Sequence, residues 1–216
     1  MKSFKRIINL LIPPIIFWAV NYILEFLENK DTLFKGNDML FKDLLVDCKV
    51  YGEYGCGKST IWVANNTSAK VLSVDSSEEW INDVNTKIDK SKNLAKLKHV
   101  NLGALGTWGR PISYQYSKSF DLYTDWIWIQ DELPDVVLID GRFRVCCFLT
   151  CLKFANEGTA IIFDDYNDRE EYKFIEKYLE ASKTFGRQAL FLVPNRKLLD
   201  LEELNKDIIR FRFVMD

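Results

Sequence analysis

Histidine is almost absent from this chain, an excess of basic residues is missing altogether, and no two cysteines have the C-x-x-C spacing. Each gap removes a class of function. The single histidine, His99, begins a predicted strand and reads as structural rather than as a base. With 29 Lys and Arg against 31 Asp and Glu, the formal net charge of -2 argues against the basic footprint of a nucleic-acid-binding domain. The five cysteines, Cys48, Cys56, Cys146, Cys147 and Cys151, are odd in number, so the expectation is a reducing compartment and no disulfide framework. Cys147 and Cys151 share a face of a predicted helix, but no second pair accompanies them, and they read as buried small hydrophobes. Internal repeats and low-complexity tracts are also lacking.

The 216 residues suffice for one substantial core. Residues 1–30 differ from the rest. Lys2, Lys5 and Arg6 precede a run at 7–27 that is apolar apart from Asn9, Asn21 and Glu25, and Pro13-Pro14 interrupts it early. Pro14 is placed to open a helix. From there to Lys30 about 17 residues would span roughly 25 Å, short of a roughly 30 Å hydrocarbon core. The expectation is therefore a helix lying in the membrane interface, with Trp18 and Tyr22 near the boundary. The alternatives are a helix packed on protein and a single span. Pro13-Pro14 and the lack of a small-x-small site argue against a cleaved signal peptide.

A domain is expected over 31–216. After a short helix at 39–46, strands are predicted at 48–53, 70–75, 99–102, 135–140, 159–164, 188–193 and 208–215. Helices are predicted between them at 58–66, 78–92, 144–155 and 169–183, with a shorter one near 121–130. Val136-Val-Leu-Ile139 is a continuous apolar run, as suits a parallel strand covered on both faces. Strands alternating with helices predict an α/β, Rossmann-like, doubly wound and mostly parallel seven-stranded sheet, with its ligand at the carboxyl ends of the strands.

The first predicted strand runs into Lys49-Val-Tyr-Gly-Glu-Tyr-Gly-Cys-Gly-Lys-Ser-Thr60, which has two readings. Counted from Gly52 to Ser59 it matches the phosphate-cradling P-loop, with Lys58 on phosphates and Ser59 on magnesium, as in a nucleotide-binding kinase or NTPase. Counted from Glu53 it is E-x-G-x-G, the turn that closes the first strand of a Rossmann-like methyltransferase. Asp75, about 18 residues beyond Gly57, stands where such folds bind a ribose hydroxyl pair, a role a P-loop does not need. Asp140 ends the fourth predicted strand in the manner of Walker B, but Asp164-Asp165 end the next one and put a carboxylate cluster on the same rim. Clustered carboxylates hold a divalent metal or do acid/base work.

Glu53 to Thr60, Val74-Asp75 with Glu79-Trp80, Thr107-Trp-Gly-Arg-Pro111 in the loop from Gly103, Asp140-Gly-Arg-Phe-Arg-Val145 and Asp164-Asp-Tyr166 together resemble a bacterial branch of class I S-adenosylmethionine-dependent methyltransferase-like proteins. The resemblance implies S-adenosylmethionine as cofactor. It places Glu53, Tyr54, Gly55 and Gly57 around the methionine part, Asp75 and Ser76 at the ribose, and Asn101, Leu102 and Gly103 at the adenine. It makes Asp140, Arg142 and Asp165 catalytic, and by likeness to metal-dependent O-methyltransferases it offers Asp140, Asp164 and Asp165 to Mg2+. Lys58 and Asn101 depart from the pattern, which has a small residue and an acid there. Arg110, Arg142 and Arg144 are further candidates for binding an anionic acceptor.

The function expected is O-methylation of a small-molecule or glycan-precursor hydroxyl near a membrane. The protein would be cytoplasmic, at the inner face of the cytoplasmic membrane, held there peripherally by residues 7–27. The alternatives are the P-loop enzyme and a non-catalytic S-adenosylmethionine-binding protein.

Overall fold

The computed structural model describes residues 32–91 and 94–216. It divides into two compact units, Met1–Asp38 and Met39–Asp216. The helix expected within 1–30, and with it the membrane contact through 7–27, lies outside the described residues. The described part of the first unit is one 3-10 turn, Phe34–Gly36. Among the described residues no helix is long and apolar enough to cross a membrane.

In the second unit, α1 (Met39–Leu44) leads to β1 (Val50–Tyr54), α2 (Lys58–Asn66), β2 (Lys70–Asp75), α3 (Glu78–Lys87) and β3 (Ala95–His99). After a long loop come α4 (Phe120–Asp125), β4 (Val136–Ile139), α5 (Arg144–Phe154) and β5 (Ala160–Phe163). The chain ends with a 3-10 segment at Glu170–Lys177, β6 (Lys183–Phe185), β7 (Gln188–Leu192) and α6 (Leu201–Phe211). The seven strands form one sheet in the order β3-β2-β1-β4-β5-β7-β6. Every pairing is parallel except those of β7, which runs antiparallel to both β5 and β6.

The central strands are apolar because both faces are covered: all residues of β1, β4 and β5 are buried. Nine of the eleven residues of α5 are buried as well, so the helix is a core element rather than an amphipathic cover. Phe148 on α5 packs edge-on against Phe191, 4.8 Å between ring centroids, and beside Phe163 of β5 at 6.0 Å. Cys146, Cys147 and Cys151 fill the same core, and all five cysteines are free and buried.

The expected last strand at 208–215 is instead the end of α6 and the tail after it. Ile208-Ile-Arg-Phe-Arg-Phe-Val alternates like a strand, but the helix is set from its start. Asp200 accepts the backbone N–H groups of Glu202 and Glu203, and Leu204 and Ile208 then fall on one buried face. The seventh strand is the unforeseen β6, which forms with β7 a hairpin whose two-residue turn is Gly186-Arg187, with Gly186 at φ +57°. Where a helix is expected at 169–183 the structure has a 3-10 segment, Glu170–Lys177, with Tyr172 and Ile175 buried. The third strand lies four residues earlier than expected, so Asn101, Leu102 and Gly103 follow it in a loop.

Candidate active site

The rim at the carboxyl ends of β1, β2, β4 and β5 carries the chemistry. β1 runs to Tyr54, and Gly52 lies within it, paired with Leu72 and Val137. Only Gly55, Cys56 and Gly57 separate β1 from α2, too short a turn to wrap a phosphate. The hydroxyls of Ser59 and Thr60 turn inward and donate to the carboxylate of Glu53, which also accepts from Tyr51 Oη at 2.9 Å and Ser73 Oγ at 3.0 Å. Ser59 is thus turned away from the magnesium-facing position that the P-loop reading gives it. Glu53 itself has no exposed surface and serves as the post that ties α2 to the sheet. Burial raises its carboxyl above the ordinary range, and the four hydroxyls oppose that.

Gly55 has φ +91°, and a Cβ there would lie 2.6 Å from the Cα of Gly141. A Cβ on Gly141 would meet the Gly55 nitrogen at 2.7 Å, so the turns after β1 and β4 pack backbone on backbone. Tyr54 is buried, its hydroxyl donating to the Thr124 carbonyl and accepting from Trp128 Nε1 at 2.8 Å. Gly57 stays more open, with Trp80 Nε1, at 3.7 Å, the atom within reach of an added Cβ. Trp80 is half-exposed, and its indole N–H donates to the Cys56 carbonyl.

Asp75 ends β2 and knits the turn to α3: its Oδ2 accepts from Cys56 N at 3.0 Å and its Oδ1 from Ser77 N at 2.7 Å. Burial raises its pKa, against these backbone donors. The Ser76 N–H and the Cys56 thiol also face this carboxylate, which stays partly exposed at the rim. Ser76 is buried and donates to the Gly109 carbonyl at 2.8 Å, anchoring the loop after β3. Asn101 is exposed and accepts the Gly103 N–H at 2.9 Å, Leu102 is a core side chain, and Gly103, at φ +87°, lies beneath the ring of Tyr116. The loop folds back on itself through the Leu105–Pro111 bridge and displays Trp108, 88% exposed, at φ +59°. Open Gly57, partly exposed Asp75 and exposed Asn101 leave room at this rim for a nucleoside bearing a ribose diol.

At the ends of β4 and β5, Asp140, Asp164 and Asp165 offer carboxylate oxygens within 4.8 Å of one another. Two arginines already pair them. Arg144, 4% exposed, bonds Asp140 Oδ1 at 3.1 Å and Asp165 Oδ2 at 3.3 Å, and donates to the carbonyls of Asp140, Gly141 and Asp164. Arg187 holds fully buried Asp164 in a fork, Nε to Oδ1 at 2.9 Å and Nη2 to Oδ2, and reaches Asp165 Oδ1 at 3.3 Å. Five of the six carboxylate oxygens are held by these guanidiniums, so the donor set does not fit the expected Mg2+.

Asp140 keeps about a third of its side chain exposed, at 32%, and its pKa is pushed well up by burial and then by Asp164, with Arg144 and Arg187 opposing. Arg142 donates its backbone N–H to Tyr123 Oη at 3.1 Å, while its Nε is buried without an acceptor. Asp165 adopts φ +59°, which folds its carboxylate back toward Arg144.

The sequence pattern brought Asp75, Asp140, Arg142, Asp164 and Asp165 to one rim. It put Glu53, Tyr54 and Leu102 at the ligand, whereas their side chains are buried. Arg144 was read as a candidate for binding an anionic acceptor, and it is interior and paired with Asp140 and Asp165. Arg187 went unnoticed, because its partner is 23 residues away across a hairpin with no helical or strand signal in the sequence.

No protein-family model matches the chain, and no curated protein matches it. Among solved structures, a methyltransferase-like protein from Silicibacter pomeroyi DSS-3 is similar with a TM-score of 0.72 and 29% identity, over 82% of this chain and 92% of that one. An N-methyltransferase from Bradyrhizobium japonicum WM9, solved in complex with S-adenosyl-L-homocysteine, is similar with a TM-score of 0.50 and 13% identity, over 77% of this chain and 90% of that one.

Proposed function

We propose that this chain, whose fold is that of the class I S-adenosylmethionine-dependent methyltransferases, is itself such an enzyme and methylates a hydroxyl of a small molecule or glycan precursor. The observation that carries the reading is Asp75 at the end of β2, clasped between the glycine turn and α3 on the rim where such folds bind a ribose diol. S-adenosylmethionine would be held by the turn Gly55–Gly57, Asp75 and the loop at Asn101–Gly103, and it would supply an electrophilic methyl. The chain's own residues align the acceptor at Asp140 and Arg142 and accept its proton, which is most of what such a transfer requires.

The loop beside Gly103 supports a sugar-bearing acceptor. Trp108, Ile112, Tyr114 and Tyr116 are exposed there, and no acidic residue occurs between positions 101 and 120. Aromatic faces of this kind suit the apolar faces of sugar rings. A site at the inner face of the cytoplasmic membrane, reached through residues 7–27, completes the proposal. It rests on their basic and apolar sequence.

Calorimetry with S-adenosylhomocysteine tests the reading. Binding is expected, weakened by roughly 1 to 3 kcal/mol in Asp75→Ala as the ribose hydroxyls lose their acceptor. Binding of magnesium-ATP with no response to S-adenosylhomocysteine would overturn it. For the membrane contact, the full-length protein should float with anionic liposomes.

A further inference from the structure

We infer that Arg144 and Arg187 stand in place of a divalent cation at the β4–β5 rim, making Asp140 a metal-free proton acceptor. The inference uses the methyl-transfer reading for the identity of the proton donor, but the electrostatic arrangement is independent of it.

The charges decide the matter. Three carboxylates meet at the rim, and a cation is needed to let them coexist. Arg144 and Arg187 provide two fixed positive charges on planar forks, each spanning two carboxylates. Asp164 is held by the Arg187 fork and has no exposed surface, so it is a counter-ion rather than a reactive group. Asp165 is shared between both arginines, with Arg169 Nη2 also at 3.9 Å. Asp140 differs. Its one arginine bond comes from Arg144 Nη2 to Oδ1, its other side-chain partner is the Asp164 carboxyl, and it is the most exposed of the three carboxylates, its side chain at 32% against 0% and 19%.

Arg144 is built to orient this group. Its Nη2 also binds the Asp140 carbonyl at 3.0 Å, its Nη1 the Asp164 carbonyl at 2.8 Å and its Nε the Gly141 carbonyl at 3.0 Å, so the guanidinium is locked to the backbone that carries both aspartates. The groups facing Asp140 are Asp164 and Asp165 from the end of β5, Arg144 from α5 and Arg187 from the β6–β7 hairpin. As the acceptor oxygen bonds to the methyl and the carbon–sulfur bond breaks to leave a neutral thioether, the hydroxyl proton passes to the Asp140 carboxylate. The positive charge of the sulfonium and the negative charge of the carboxylate are both discharged. Arg144 and Arg187 are positioning residues that keep Asp140 ionisable beside Asp164.

The test needs neither cofactor nor acceptor. Chelator-treated protein titrated with MgCl2 or MnCl2 in a calorimeter should show no stoichiometric binding below millimolar concentration. One equivalent bound at submillimolar concentration and lost in Asp164→Asn would overturn the proposal. Carbon-13 NMR of labelled aspartate carboxyls, with Asp140 assigned through Asp140→Asn, should show its titration midpoint moving up in Arg144→Met by about one unit, a tenfold gain in proton affinity. Arg144→Lys should restore part of the shift. Because Arg144 is interior, Arg187→Met on the more exposed hairpin is the companion variant and should move the midpoint in the same direction. An unmoved midpoint in whichever folds would refute the clamp. Loss of S-adenosylhomocysteine binding alone would instead sink the methyl-transfer reading and leave the clamp standing.

Discussion

Glu53 accepts four hydroxyls and meets no solvent, so Glu53→Ala strands several buried donors at once. We expect a loss of about 3 kcal/mol or more in urea unfolding, and a smaller loss for Glu53→Gln, which keeps one acceptor oxygen. A merely cofactor-facing glutamate would show little change in stability. Asp75 and Asp140 were legible in the sequence because each ends a strand on the ligand rim, a position fixed by local pattern. The inward turn of Glu53 was not. The letter pattern E-x-G-x-G is the same whether the carboxylate faces a ligand or the hydroxyls beneath it, and Ser59, Thr60 and Ser73 decide the outcome only after the sheet forms. Arg187 was hidden for a related reason, since a bidentate pair across 23 residues leaves no spacing signal.

Among the elements, α6 owes its identity to its first residue. Replacing Asp200 by alanine frees the N–H groups of Glu202 and Glu203 and should cost about 1 kcal/mol, read from the denaturation midpoint. The turns after β1 and β4 depend on two glycines in direct contact. Gly55→Ala must overcome both φ +91° and a 2.6 Å clash with Gly141, and a melting-temperature drop equivalent to about 2 kcal/mol or more is expected. Parallel strands and the helices between them were readable as apolar runs and caps, and α2 and β2 fall where their residues predict. The C-terminal third was harder. There β-branched and aromatic residues alternate in a helix, a 3-10 segment replaces a helix, and the three-residue β6 carries too little pattern to register.

At the scale of the molecule, the raised carboxyl groups set the pH dependence of stability. Glu53, Asp75, Asp125, Asp140 and Asp216 all bind protons more tightly folded than unfolded, chiefly through burial. The folded state therefore gains protons relative to the unfolded one, and stability falls as pH rises from the ordinary carboxylate range through the raised values. Asp207 opposes them, but its contribution is lost only on acidification. Unfolding free energy should be larger near about pH 5.5 than near about pH 7.5, and equal values at both would contradict the burial of these groups. The α/β class and the rim location followed from alternation alone, whereas the electrostatic content of the rim required the tertiary fold. The β6–β7 hairpin has a further consequence. β6 is the outermost strand of the sheet, held by a three-residue ladder, and edge ladders open most often. Each opening withdraws Arg187 and leaves Asp164 a bare interior charge. Fraying at the sheet's far edge should therefore set how long the rim stays intact, and amide exchange at Phe185, beside the turn, should be its clock.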